Sequence, residues 1–113
     1  MAMGPEAPDM RVVLKGLRGQ TIRTLTGKPN VVIRVDEARV IVGTAKSPKG
    51  QPVPISWLQT AADRLYRDGE IEISVSSVGY RSALVGAVLA TLPGTISTTN
   101  PRVIRLAAMT EGA

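Results

Sequence analysis

The residues best suited to chemistry in this sequence are cations beside small hydroxyls, not acids beside bases. Lys46, Ser47 and Lys49 sit in the run AKSPKGQPVP, residues 45–54, where three prolines and a glycine stiffen the chain. A stiff basic loop can hold lysines against phosphate oxygens at low entropic cost, because its backbone freedom is already restricted. Arg81 and Ser82 stand just ahead of a long apolar run, where backbone N–H groups at a helix start add their own partial positive charge. Both features are suited to anions. The chain contains no cysteine and no histidine, which removes thiolate chemistry, cysteine zinc sites and the commonest general base. Glu70 and Glu72 are the nearest thing to a carboxylate pair, and alternation puts both on the solvent side of a strand with no base beside them. No catalytic residues, metal or cofactor are expected, and the chain reads as a binding module and not an enzyme.

Charge points to the same class of partner. The net charge is +5 over 113 residues. Residues 1–54 hold nine Lys or Arg against four Asp or Glu, whereas residues 55–113 hold five of each. The whole excess lies in the first half. A concentrated positive field attracts polyanions, of which duplex DNA is one. If the partner is duplex DNA, Arg18, Arg23 and Lys28 join Lys46, Lys49 and Arg81 as candidate phosphate contacts, and Tyr80 is the candidate for recognising a base methyl in the major groove.

The element that must position these groups is the run GYRSALVGAVLATLPG, residues 79–94. From Arg81 to Leu92 its apolar residues recur without any polar stripe, so a helix there must be buried on all sides. It ends at Pro93-Gly94. Roughly twelve residues make about 18 Å, too short for a bilayer core of about 30 Å. No membrane partner is expected. With 43% hydrophobic residues and three aromatics, the core must be built from Val, Leu, Ile and Ala around this helix.

The remaining elements follow from periodicity and turn residues. Residues 11–18 fit a short helix or a strand, with a helical turn favoured. Thr21–Thr26 reads as a strand, Gly27–Asn30 as a turn, and Val31–Val35 with Val40–Val42 as a hairpin. The proline-rich run after them is expected to be an exposed loop that cannot pair as an inner strand. Ser56 is the expected N-cap of an amphipathic helix that runs through Arg67 and stops at Gly69, with Asp63 and Arg67 one turn apart on its outer face. Ile71, Ile73 and Val75 alternate with Glu70, Glu72 and Ser74, the pattern of a half-buried strand. Thr95–Asn100 reads as a polar loop and Arg102–Leu106 as a final edge strand. The expected fold is α+β: a small mixed or antiparallel sheet of about four to five strands around the buried C-terminal helix plus one amphipathic helix. Residues 1–10 read as a flexible leader or cloning remnant, residues 11–108 as a single domain, and residues 109–113 as a frayed tail.

The order TLTGKPN, a hairpin, GTAKSPKGQPV, an amphipathic helix ending at RDGE, a strand and then YRSALVGAVLATLPG resembles small DNA-reading modules of bacterial restriction proteins. Residues 56–82 are similar to the N-terminal domain of McrA-type enzymes, which restrict methylated DNA through a separate HNH nuclease domain. The resemblance covers about residues 20–94, and its most specific parts are Arg81-Ser82-Ala83 and Leu92-Pro93-Gly94. It implies a module that reads modified cytosine in duplex DNA, with a nuclease fused or supplied by a partner; the absence of cysteine separately points to a reducing, cytoplasmic setting. The chain departs from that pattern in having no histidine for a nuclease centre. From a different class, the greasy helix and the open strand edges also suit a protein-interaction or oligomerisation domain, a homodimer included.

Overall fold

Helix α1, Met10–Leu17, begins where the Asp9 carboxylate accepts the Arg11 amide at 2.9 Å. The computed structural model describes residues 6–78 and 81–107. Met10, read from sequence as the last residue of the leader, opens α1 and is fully buried with Leu14. Gln59 binds this segment to the rest of the chain: its Oε1 accepts the Met10 amide at 2.8 Å, and its Nε2 donates to the Pro8 carbonyl at 3.0 Å.

The first sheet follows as a meander. Strands β1 (Thr21–Arg23), β2 (Pro29–Val35), β3 (Arg39–Gly43) and β4 (Gln51–Pro54) lie in that order, and every pairing is antiparallel. Ile22, Val32, Val40, Val42 and Val53 face the core. A bulge between Val32 and Arg34 interrupts the β2–β3 register, and Ile33 and Arg34 are exposed in succession. The proline-rich segment is thus only partly a loop. Its last four residues form β4, and an edge position explains how they do so, since Pro52 and Pro54 need no donor on the open side.

Helix α2, Ile55–Asp68, starts one residue before the expected cap and has no side-chain cap at all. The Ile55 amide instead donates to the Ala38 carbonyl in the β2–β3 turn at 2.9 Å, so a tertiary contact replaces the local one. Gly69 ends the helix in the left-handed region (φ 83°), its amide bonded to the Leu65 carbonyl at 2.8 Å. Asp63 and Arg67, one turn apart on the outer face of α2, take other partners. Asp63 accepts from Gln59, and Arg67 forks onto Asp68 at 2.8 and 3.1 Å.

The second half departs from a one-sheet fold. Strand β5 (Glu70–Glu72) ends early, and Val75 is exposed at the start of a short helical turn, α3 (Val75–Val78). Arg64 of α2 holds that turn by donating to the Ser77 carbonyl at 2.6 Å and to its hydroxyl at 3.1 Å. Helix α4, Ser82–Leu89, is the apolar run, with Leu84 through Leu89 all buried. The polar segment after it is no loop: β6 (Thr95–Thr99) pairs with β7 (Arg102–Leu106), and β7 lies in the middle of a second, three-stranded sheet ordered β5–β7–β6. The fold is α+β, with a four-stranded antiparallel sheet, a three-stranded sheet and four helices among the described residues. Both sheets, α1, α2 and α4 contribute to one core cluster. In it α4 approaches Ile73 so closely that a Cβ at Gly86 would lie 2.9 Å from the Ile73 Cγ2.

Candidate functional site

Strand register decides which cations meet. Arg23 pairs with Pro29, Val31 with Gly43, and Val42 with Gln51. The β1–β2 turn that carries Lys28 and the β3–β4 loop that carries Lys46 and Lys49 therefore leave the sheet at the same end. Arg34 and Arg39 lie at the opposite end, where Arg34 pairs with Asp36 at 3.2 Å. Residues 23–30, 43–51 and 73–107 contain no Asp or Glu, so none of these segments brings a carboxylate to the end with the lysines. These segments bring only positive charge to that end, where like charges reinforce one another's field.

Each turn is held by hydrogen bonds within itself, from backbone and side chains. In the β1–β2 turn the Thr24 amide donates to the Lys28 carbonyl at 2.9 Å, and the Lys28 amide donates to the Thr24 hydroxyl at 3.0 Å. Arg23 Nη1 spans the turn to the Gly27 carbonyl at 3.1 Å. In the β3–β4 loop the Ser47 amide donates to the Thr44 hydroxyl at 3.0 Å, and the Gly50 amide to the Ser47 carbonyl at 3.0 Å. Gly50 has φ 97°, and a Cβ there would lie 2.6 Å from Ile41 Cγ2 and 2.9 Å from Ile33 Cδ1. Only glycine lets this loop turn so close to the sheet.

Between the two turns lies an open cleft of about 490 Å³ lined by Thr24, Lys28, Pro29, Asn30, Thr44, Ala45, Lys46 and Ala83. Two lysines from separate turns thus border one depression, against the first turn of α4. An adjoining, mostly apolar depression of about 310 Å³ shares Pro29, Thr44 and Ala45 and adds Val31, Ile33 and Gly43 of the sheet and Pro48 of the β3–β4 loop.

No family model, curated protein or solved structure matches this chain. Its geometry has to stand alone.

Of the residues singled out from sequence, Lys28 and Lys46 share the cleft, while Arg23 and Lys49 are exposed at the same end of the sheet. Ser47 and Arg81 are joined through Gln51: its Nε2 donates to the Ser47 hydroxyl at 3.1 Å, and its Oε1 accepts from Arg81 Nη2. Arg18 stands apart. It caps the C-terminus of α1, and the next amide, Gly19, bonds to Val32 in the middle of β2 at 2.7 Å. Ser82 is buried at 6% exposure, withdrawn from any ligand on the surface. Tyr80 lies outside the described residues. Sequence reading passed over Thr24, Asn30, Thr44 and Gln51, which line the cleft or tie the loop to α4. A polar residue between Gly50 and Pro52 gives no local signal of that role. Among the described residues no cluster of acidic side chains could hold a metal ion, and no helix is long and apolar enough to cross a membrane.

Proposed function

We propose that this domain binds duplex DNA through the end of the four-stranded sheet from which the β1–β2 turn and the β3–β4 loop emerge. The observation that carries the reading is the meeting of Lys28 and Lys46 on one cleft, with Arg23 and Lys49 beside it and no acid in either connecting segment. Lysines and arginines bind a duplex by displacing the cations condensed on its phosphates, and exposed lysines suit a backbone contact that carries no sequence information. Glycine and proline hold the loop, so little order has to be created on binding. The apolar depression next to the lysines is where a base edge or its methyl group would be sensed, because a methyl is recognised by apolar contact. In this reading the domain is the specificity module of a restriction system for modified cytosine, and cutting belongs to a fused or separate nuclease.

A binding panel tests it: one duplex offered unmodified, methylated at cytosine, hydroxymethylated at cytosine, or with a phosphorothioate backbone, each over a salt series. Steep salt dependence with a preference for one modified cytosine is expected. A salt-independent curve removes DNA as the ligand. Equal affinity for all four duplexes leaves a general DNA binder and removes the modification reader.

A further inference from the structure

An open strand edge offers unpaired N–H and C=O groups to any other strand, and proteins blunt such edges with charge, proline, bulges or shortness. Among the described residues, three of the four edge strands carry such a device. Strand β1 is three residues long and ends in Arg23; β4 contains Pro52 and Pro54; β5 is three residues long with Glu70 and Glu72. Strand β6 has none. Its five residues, Thr95-Ile96-Ser97-Thr98-Thr99, carry no charge and no proline, run in unbroken register with β7, and are exposed from Ile96 onward. Ile96 itself is 45% exposed.

The ladder fixes which groups face outward. The Ala107 amide donates to the Gly94 carbonyl at 2.7 Å, so residues 94 and 107 form a bonded pair. Alternation then assigns Ile96 and Thr98 to the bonds with β7 and turns the N–H and C=O of Thr95, Ser97 and Thr99 towards the open edge. The strand is also nearly symmetric about Ser97. An antiparallel copy centred there places Ser97 opposite its own mate, Thr95 opposite Thr99 and Ile96 opposite Thr98. The Ser97–Ser97 and Thr95–Thr99 pairs are then the bonded ones, made by the backbone groups that face outward, while Ile96 and Thr98 form the non-bonded pairs between them. Thr–Thr neighbours across strands are favourable, and no like charges meet on the paired strand.

From this self-complementarity we infer that β6 is a homodimer edge, on which two copies of the chain join their three-stranded sheets into one continuous sheet about a two-fold axis at Ser97. The inference does not depend on DNA binding. A second copy is the occupant because register, outward donors and side-chain pairing are all satisfied by this same strand reversed.

The test uses the full chain in light scattering coupled to size exclusion, with Ser97→Lys and Ser97→Glu variants. Position 97 faces itself across the axis, so each variant places like charges together. The wild type is expected to dimerise at high micromolar concentration, each variant alone to be monomeric, and an equimolar mixture of the two to recover the dimer. A wild type that stays monomeric, variants that still dimerise, or a mixture that fails to recover would each overturn the proposal. If either variant proves unfolded by circular dichroism, hydrogen exchange of the wild type decides instead. The Ser97 amide should become protected as concentration rises, and concentration-independent exchange there would also overturn it.

Discussion

Replacing both cleft lysines should change the salt dependence of DNA binding more than it changes the fold. Lys28 and Lys46 are exposed, and surface substitutions of this kind alter stability by about 0.5 kcal/mol or less. If Arg23, Lys28, Lys46 and Lys49 each neutralise one phosphate, the slope of log affinity against log salt is about −3.6, and the Lys28→Ala/Lys46→Ala variant keeps about −1.8. Between about 50 and about 200 mM salt the wild type should then lose affinity about 150-fold and the variant about 12-fold. Arg81 is left out of this count because Gln51 holds it and it is half-buried. The assay is fluorescence anisotropy of a labelled duplex across the salt series, with thermal melts to verify folding. Equal slopes for wild type and variant would refute the assignment of these lysines to phosphate contacts. The control is Arg34→Ala at the far end of the sheet, which should leave the slope unchanged.

Further outcomes follow from particular contacts. Gly50→Ala forces a left-handed backbone on alanine and drives its Cβ into Ile41; a loss of roughly 1–3 kcal/mol is expected in urea unfolding. Gly16→Ala has open space at its Cβ and lies within α1, so it should stabilise the protein by about 0.5–1 kcal/mol in the same assay. Leu89→Ala empties a fully buried position in α4 and should cost about 2–5 kcal/mol. Gln51→Leu cuts the link between Ser47 and Arg81; weaker DNA binding with a nearly unchanged melting temperature is expected, and unaltered binding would show that the loop does not need this tether.

The parts of the fold legible in the sequence were those where one physical requirement dominates a segment. The run Leu84–Leu89 lacks any polar stripe, and it is buried all round. Trp57 to Tyr66 keeps helical spacing because one face of α2 packs on the core. Strand β6 was missed for the converse reason: it is exposed along nearly its whole length, so there is no alternation to read, and its partner β7 was taken for an edge. The start of α2 was misplaced because the Ala38 carbonyl, distant in sequence, takes the role a serine cap would have played. Met10 is a core residue because Gln59, far away in sequence, holds that segment, which no local pattern encodes. For the candidate site, residue types were visible and their assembly was not. Lys28 and Lys46 come to one cleft only through the β2–β3 register, and the Gly19–Val32 hydrogen bond leaves Arg18 beside the middle of β2.

The most direct test is amide chemical-shift mapping of the labelled protein titrated with a short duplex at low salt. The account predicts that the perturbed amides cluster in residues 23–30 and 43–51 and at the first turn of α4, with residues 34–39 and the outer face of α2 unmoved. Shifts centred on the β2–β3 turn or spread evenly over the surface, with the lysine cleft silent, would contradict it.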